Sequence, residues 1–341
     1  MSRSVNVILL LVGVVFILII TKNYLIPVVL ALIIWYLIRV IGQNMSRFSL
    51  YNKLPGWIQY TLIFLLMFST IIGVSELLLM SIRNFSKVLP SYQENVEKIN
   101  ASIIEQFNFD VIANLEKYAG EADVAAILEP IMNSLSGAVG NVVMIIIYCI
   151  FLLLEQGTFE RKFRFLFKDE EKYAQAKNIM HRIDESFSKY ILLKTFVSVL
   201  TGVLSYFALL LLKVDSPVLW SFLIFLLNYI PSIGSLLATA FPVIVAMLQY
   251  GEVMPGIYVL LVVGAIQLVV GNFIDPKLMG DSLNISSLVV LLALVVWGAI
   301  WGVLGMVLSV PITVMLIIIF SNFEATRPIA ILLSSNGTLK D

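Results

Sequence analysis

Polar side chains stand at a few points in the most apolar part of this chain. Their types suit holding a small wet solute or moving a charge. Asn228-Tyr-Ile-Pro231-Ser-Ile-Gly234 interrupts one long apolar run, and Gln267 sits inside the next. That second run ends in Gly271-Asn272-Phe-Ile-Asp275-Pro276-Lys277-Leu-Met-Gly280. A broken backbone in hydrocarbon leaves N–H and C=O groups unpaired, at several kcal/mol each, unless protein or a water-filled cavity supplies partners. Transporters build substrate sites from such broken helices. Asn228 either caps a half-helix and points at a substrate, or only satisfies the backbone that Pro231 disrupts. Gln267 reads as an interhelical hydrogen bond or as a ligand contact. Asp275 and Lys277 form either a charged element of a pathway or gate, or a polar loop at the membrane interface.

Three further charges need placing. Lys194 opens an apolar run and Glu155 closes another, and both are expected to snorkel to the headgroups. With Asp275 they are also the candidates for coupling or gating; Glu76 is a weaker one. Gly298, Gly302 and Gly305 read as helix-packing positions, because small residues let helices approach closely. Within this sequence there is no phosphate-binding loop, no H-E-x-x-H motif and no G-x-S-x-G elbow. His181 is the only histidine. No metal, no cofactor and no enzymatic role is therefore expected, which leaves gradient-driven transport or facilitation.

The elements that must position these residues follow from composition. Of 341 residues 60% are hydrophobic and 13% charged, with mean hydropathy +0.98. Soluble domains carry about 25% charged residues, so an all-α polytopic membrane protein with about eight transmembrane helices is predicted. The lipid bilayer is then its first partner. Formal charge is zero, without the basic tract that nucleic acid requires. The single cysteine, Cys149, can form no intrachain disulfide.

Spans are expected at 5–21 (uncleaved) and 24–41, joined as a tight hairpin or one kinked helix, and at 57–80, completing an N-terminal part, 1–80. A small helical extracytoplasmic insert is expected at 81–137. In it an amphipathic helix after Pro90 carries Tyr92, Val96, Ile99 and Ile103, and Asp110 caps a second with Ile112, Leu115 and Tyr118. A fourth span (138–155) precedes a basic amphipathic segment (156–190), a C-terminal transport core (191–320) and a tail (321–341). Residues 217–250 and 285–320 are over-long for one straight span, so each is a kinked crossing or a re-entrant hairpin. Lys and Arg concentrate in 39–53 and 161–189, which places those loops and both termini in the cytoplasm and the acid-rich insert outside.

Four blocks carry a resemblance: Tyr190-Ile-Leu-Leu-Lys194-Thr-Phe-Val-Ser198-Val-Leu-Thr-Gly202, Asn228 to Gly234, Gly271 to Gly280, and Trp297-Gly through Gly305 to Ser309-Val-Pro311. In that order they resemble the autoinducer-2 exporter family of bacterial inner-membrane proteins. The resemblance implies a transporter of about eight helices, a homo-oligomer, with export of the quorum-sensing signal autoinducer-2 as the best-known activity. Other members resemble sodium or lithium/proton antiporters. The leading expectation is thus transport of a small polar solute past Asn228, Pro231, Gly234, Gln267, Asn272, Asp275 and Lys277. The alternatives are a cation/proton antiporter titrating Asp275 and a non-transporting scaffold.

Overall fold

The computed structural model describes residues 3–45, 54–107, 132–133, 136–137, 140–167, 169–231, 233–279 and 284–337. Every regular element among them is helical. Among the described residues seven helices are long and apolar enough to cross a membrane, and two shorter apolar helices, Pro217–Leu227 and Ser287–Trp301, accompany them. The all-α polytopic expectation holds. The chain divides into two compact units, one of residues 1–68, 141–193 and 279–341, the other of 69–140 and 194–278.

In the first unit, α1 (Arg3–Ile20) and α2 (Lys22–Met45) meet at Thr21. Helical hydrogen bonds run through the junction, Thr21 N to Ile17 O and Leu25 N to Thr21 O, both 2.9 Å. A chain reversal would break that ladder, so the pair is one interrupted helix and not a hairpin. The Thr21 hydroxyl also donates to Ile17 O at 2.6 Å, a contact that bends helices. The helix α4 (Val142–Phe165) joins α2 through Trp35, whose indole donates to Gln156. The basic segment after α4 and the following span are a single helix, α5 (Glu170–Leu211). Its first half packs Phe187, Tyr190 and Ile191 against Val310, Val314 and Ile318.

Those last residues belong to a helical hairpin near the C-terminus. Numbering past the second unit's helices, which run from α6 to α9, its arms are α10 (Ser287–Trp301) and α11 (Val303–Ser321), and a short α12 (Arg327–Leu333) follows. The chain reverses at Gly302, whose φ of +64° only glycine adopts without strain. A Cβ on Gly305 would stand 1.8 Å from Trp297 O, and one on Gly298 2.9 Å from Met306 Cε. The three glycines therefore close this hairpin: Gly298 and Gly305 give the approach and Gly302 the turn. Residues 285–320 are thus two arms and not one kinked crossing.

The second unit begins with residues 69–107 of α3 (Gly56–Phe107). This helix continues through Pro90, so the amphipathic stretch after Pro90 is not a separate helix. Its inward stripe is Leu78, Ile82, Phe85, Leu89, Tyr92 and Ile99, at the three- and four-residue spacing of a helix face. The sequence-predicted helix after Asp110 lies outside the described residues.

The rest of the unit is residues 194–211 of α5, α6 (Pro217–Leu227), α7 (Ile233–Tyr250) and α8 (Val253–Val269). A π-turn, Val270–Ile274, then leads into the short α9 (Asp275–Met279). Directions follow from the contacts. Asp215 N donates to Gln249 Oε1 and Gln249 Nε2 to Lys213 O, each at 2.8 Å, so α5 and α7 end together. The run 217–250 therefore leaves and returns at one end, as a hairpin. Its first arm, about 16 Å long at 1.5 Å per residue, is about half the ~30 Å hydrocarbon thickness. Gly234 makes the turn possible: a Cβ there would lie 1.8 Å from Leu227 O.

Candidate functional site

Because α6 runs antiparallel to α5, its C-terminal turn arrives beside the start of the second half of α5. Gly202 permits the approach; a Cβ there would meet Phe225 Cβ at 3.1 Å and Ser221 O at 3.2 Å. Asn228 Nδ2 then donates to Ser198 Oγ at 3.1 Å, and the Tyr229 hydroxyl donates to Thr195 Oγ1 at 2.9 Å. One residue earlier, Lys194 Nζ donates to Asp275 Oδ2 at 2.7 Å. Six side chains from three segments thus meet over a single turn of α5, at residues 194, 195 and 198.

The layer is buried at Lys194, Ser198 and Asn228 and half-buried at Thr195, Tyr229 and Asp275. Lys194 retains 8% side-chain exposure and Asp275 20%, while Ser198 is fully covered and Asn228 nearly so. Snorkelling, expected for Lys194, is overturned: its ammonium is enclosed by protein and spent on a carboxylate. The physical reason is the partner, which lies 81 positions away and offsets a burial cost that would otherwise drive the amine to water. Asp275 is likewise no surface-loop residue. It begins α9 directly after the π-turn, with its N–H bonded to Val270 O. A π-turn adds one residue to a helical turn and recurs at functional sites.

The layer continues along α5 as a polar stripe. Lys194, Ser198, Thr201 and Ser205 are all buried, at spacings of four, three and four, which places them on one face. Thr201 spends its hydroxyl on Val197 O. Ser205 Oγ, Gln267 Nε2 and Asp275 Oδ1 are buried atoms without a hydrogen-bond partner among the described residues. A native fold leaves few such groups, and each calls for an explanation. What the arrangement can do is offer hydroxyls, an amide and a neutralised carboxylate to a polar solute inside an apolar shell.

Other expected residues stand elsewhere. Asn272, Lys277 and Pro276 are exposed, and Pro231 is half-buried at the turn. Asn272 therefore does not join Asn228 and Gln267. Gly234 is buried, and its part is the close turn. Glu155 belongs to the first unit, is exposed, and pairs with Lys162. Thr195, Thr201 and Ser205 were missed by sequence reasoning. Their signal was hydroxyls recurring at helical spacing inside an apolar run.

Comparison with known proteins agrees with this picture. The family model described as AI-2E family transporter matches residues 7–325. A Haemophilus influenzae protein, assigned to transport by its name alone, is 32% identical over 316 residues, covering 90% of this chain and 89% of its own. The AI-2 transport protein TqsA of Escherichia coli is 28% identical, covering 91% and 89%. A Borreliella burgdorferi protein, also assigned to transport by name alone, is 28% identical over 92% and 86%. With a buried polar layer in an apolar helical frame and a family match along almost its whole length, the chain belongs to the AI-2E transporter family and is a multi-pass membrane transporter, not an enzyme.

Proposed function

We propose that this chain moves a small, neutral, hydroxylated solute out of the cell, with autoinducer-2 as the first candidate substrate. The observation that carries the reading is the hydrogen-bonded layer of Lys194, Asp275, Ser198, Asn228, Thr195 and Tyr229, buried or half-buried throughout. A solute hydroxyl entering hydrocarbon without a partner costs on the order of 2–7 kcal/mol. Replacement hydrogen bonds along the stripe offset that cost. Lys194 and Asp275 cancel each other's charge, so the layer suits neutral cargo. The printed name of the Escherichia coli relative supports autoinducer-2 as the substrate to try first. The same reading has the protein working as a homo-oligomer in the bacterial inner membrane with both termini cytoplasmic, as the Lys and Arg distribution favours.

A second reading, sodium (lithium)/proton antiport, is favoured by one observation: Asp275 Oδ1 is buried without a partner among the described residues. One experiment separates them. The purified protein in vesicles is tested for autoinducer-2 flux and for sodium-dependent proton movement, with Asp275→Asn alongside. Solute flux without cation exchange supports the first reading. Cation exchange abolished by Asp275→Asn supports the second. No flux of either kind defeats both.

A further inference from the structure

The unpaired amide of Gln267 has a definite neighbour. Along α8, Gly256, Val259, Val263 and Gln267 are buried at spacings of three, four and four, so they share one face. That face packs on α7. A Cβ on Gly256 would stand 2.3 Å from Met247 Cγ and 3.1 Å from Val243 O, so only glycine fits there. The two helices are joined by the short turn at Gly251 and run antiparallel. Gln267 comes eleven residues after Gly256, about 16 Å along at 1.5 Å per residue. It therefore stands opposite the residues about eleven before Val243 and Met247, which is the first turn of α7.

The first turn of a helix presents N–H groups that have no carbonyl of their own helix to bond. Ile233 spends its N–H on Pro231 O at 2.6 Å, and the Gly234 N–H has no partner among the described residues. Nε2 of Gln267 is a donor only. Donor thus faces donor. This explains why Gln267, only 8% exposed, leaves Nε2 unpaired among the described residues. Both groups need an oxygen that neither helix supplies at this level. The place adjoins the polar layer, because Gly234 lies against Leu227 O, one residue before Asn228.

We propose that the Gln267 amide and the N-terminus of α7 together hold an acceptor oxygen of the transported solute, a carbonyl or hydroxyl oxygen, and that Gln267 determines specificity there. The inference rests on the transport reading above. It adds which group of the solute is recognised and where. The positive end of the α7 dipole strengthens a hydrogen bond to any acceptor at that point. A full negative charge would need a cation to offset its desolvation, and Lys194, the cation buried in this unit, is already bonded to Asp275. A sodium ion would meet N–H groups in place of oxygens. The contact therefore selects a neutral acceptor.

The test uses the full chain in detergent, with autoinducer-2 and the neutral hydroxyketone dihydroxyacetone as ligands and acetate as the anionic control. Gln267→Met keeps the length of the side chain without its donor. Gly264→Ala, on the same helix with nothing within 4 Å, is the control. The proposal expects the parent and Gly264→Ala to bind at least one neutral ligand equally well. Gln267→Met should bind it about 3- to 10-fold more weakly, the worth of one neutral hydrogen bond, and acetate should not compete. The empty Gln267→Met protein should melt at or above the parent temperature, because the substitution removes a buried unpaired donor. The proposal is overturned if the parent binds neither neutral ligand, if Gln267→Met binds as the parent does, if Gly264→Ala weakens binding as much, if acetate competes, or if Gln267→Met melts well below the parent. The transport reading fails separately, if parent vesicles show no autoinducer-2 flux. Flux whose half-saturating concentration is unchanged in Gln267→Met defeats only the Gln267 site.

Discussion

Replacing Lys194 by Met and Asp275 by Leu, singly and together, should give strongly non-additive stabilities. The pair is 2.7 Å apart, with side-chain exposures of 8% and 20%. Removing one partner of a buried pair strands the other charge and costs about 3–5 kcal/mol; replacing both by apolar residues of similar volume is often neutral or stabilising. Asp275 keeps a fifth of its surface, so Lys194→Met, which strands the carboxylate, belongs near the lower bound, about 3 kcal/mol. Asp275→Leu strands the more deeply covered ammonium and should cost about 4 kcal/mol. The double substitution should fall within about 1 kcal/mol of the parent. The assay is a double-mutant cycle on denaturation of the detergent-solubilised protein, with autoinducer-2 flux measured on the same preparations. Flux should fall in all three variants, the stable double variant included, because the layer has lost its polar groups. The reasoning is refuted if the double variant loses about as much stability as the two single ones together.

Four other substitutions probe the layer and the frame around it. Gly234→Ala should abolish stable expression, since its Cβ would lie 1.8 Å from Leu227 O, whereas Gly264→Ala, with nothing within 4 Å, should be stable to within about 1 kcal/mol of the parent or slightly more so; folded yield decides. Ser198→Ala leaves the Asn228 amide without its partner and should cost about 1–3 kcal/mol in denaturation, with reduced flux in vesicles. Tyr92→Phe removes a 2.6 Å hydrogen bond to Asp215 and should cost about 1.5–3 kcal/mol while leaving the substrate profile unchanged, as flux with several solutes would show.

Much of the frame is legible in the sequence because it is local. Pro231 after Asn228, and Gly302 between two apolar arms, announce breaks through backbone chemistry that neighbouring residues cannot hide. What escaped is non-local. Lys194 looks like a span-end lysine until Asp275 is brought to it from 81 positions away. Pro90 looks like a boundary, yet α3 continues through it, held by packing of Phe85 on Trp220 and by the Tyr92–Asp215 bond. The π-turn has no sequence signature beyond Gly271, and it decides that Asp275 turns inward while Asn272 faces out. The hydroxyl stripe of α5 was readable as spacing; its meaning came only from what it faces.

Thiol accessibility tests the central claim most directly. With Cys149 replaced by Ala as background, single cysteines are placed at Ser198 and Ser205 on the buried stripe and at Val199 and Val203 on the exposed face of the same helix. Vesicles are treated with a charged, membrane-impermeant thiol reagent, with and without autoinducer-2. If the stripe lines the solute's route, the cysteines at 198 and 205 react during turnover and saturating solute slows them, while those at 199 and 203 stay inert against lipid. Inert cysteines at 198 and 205, or equal reaction at all four positions, would contradict it.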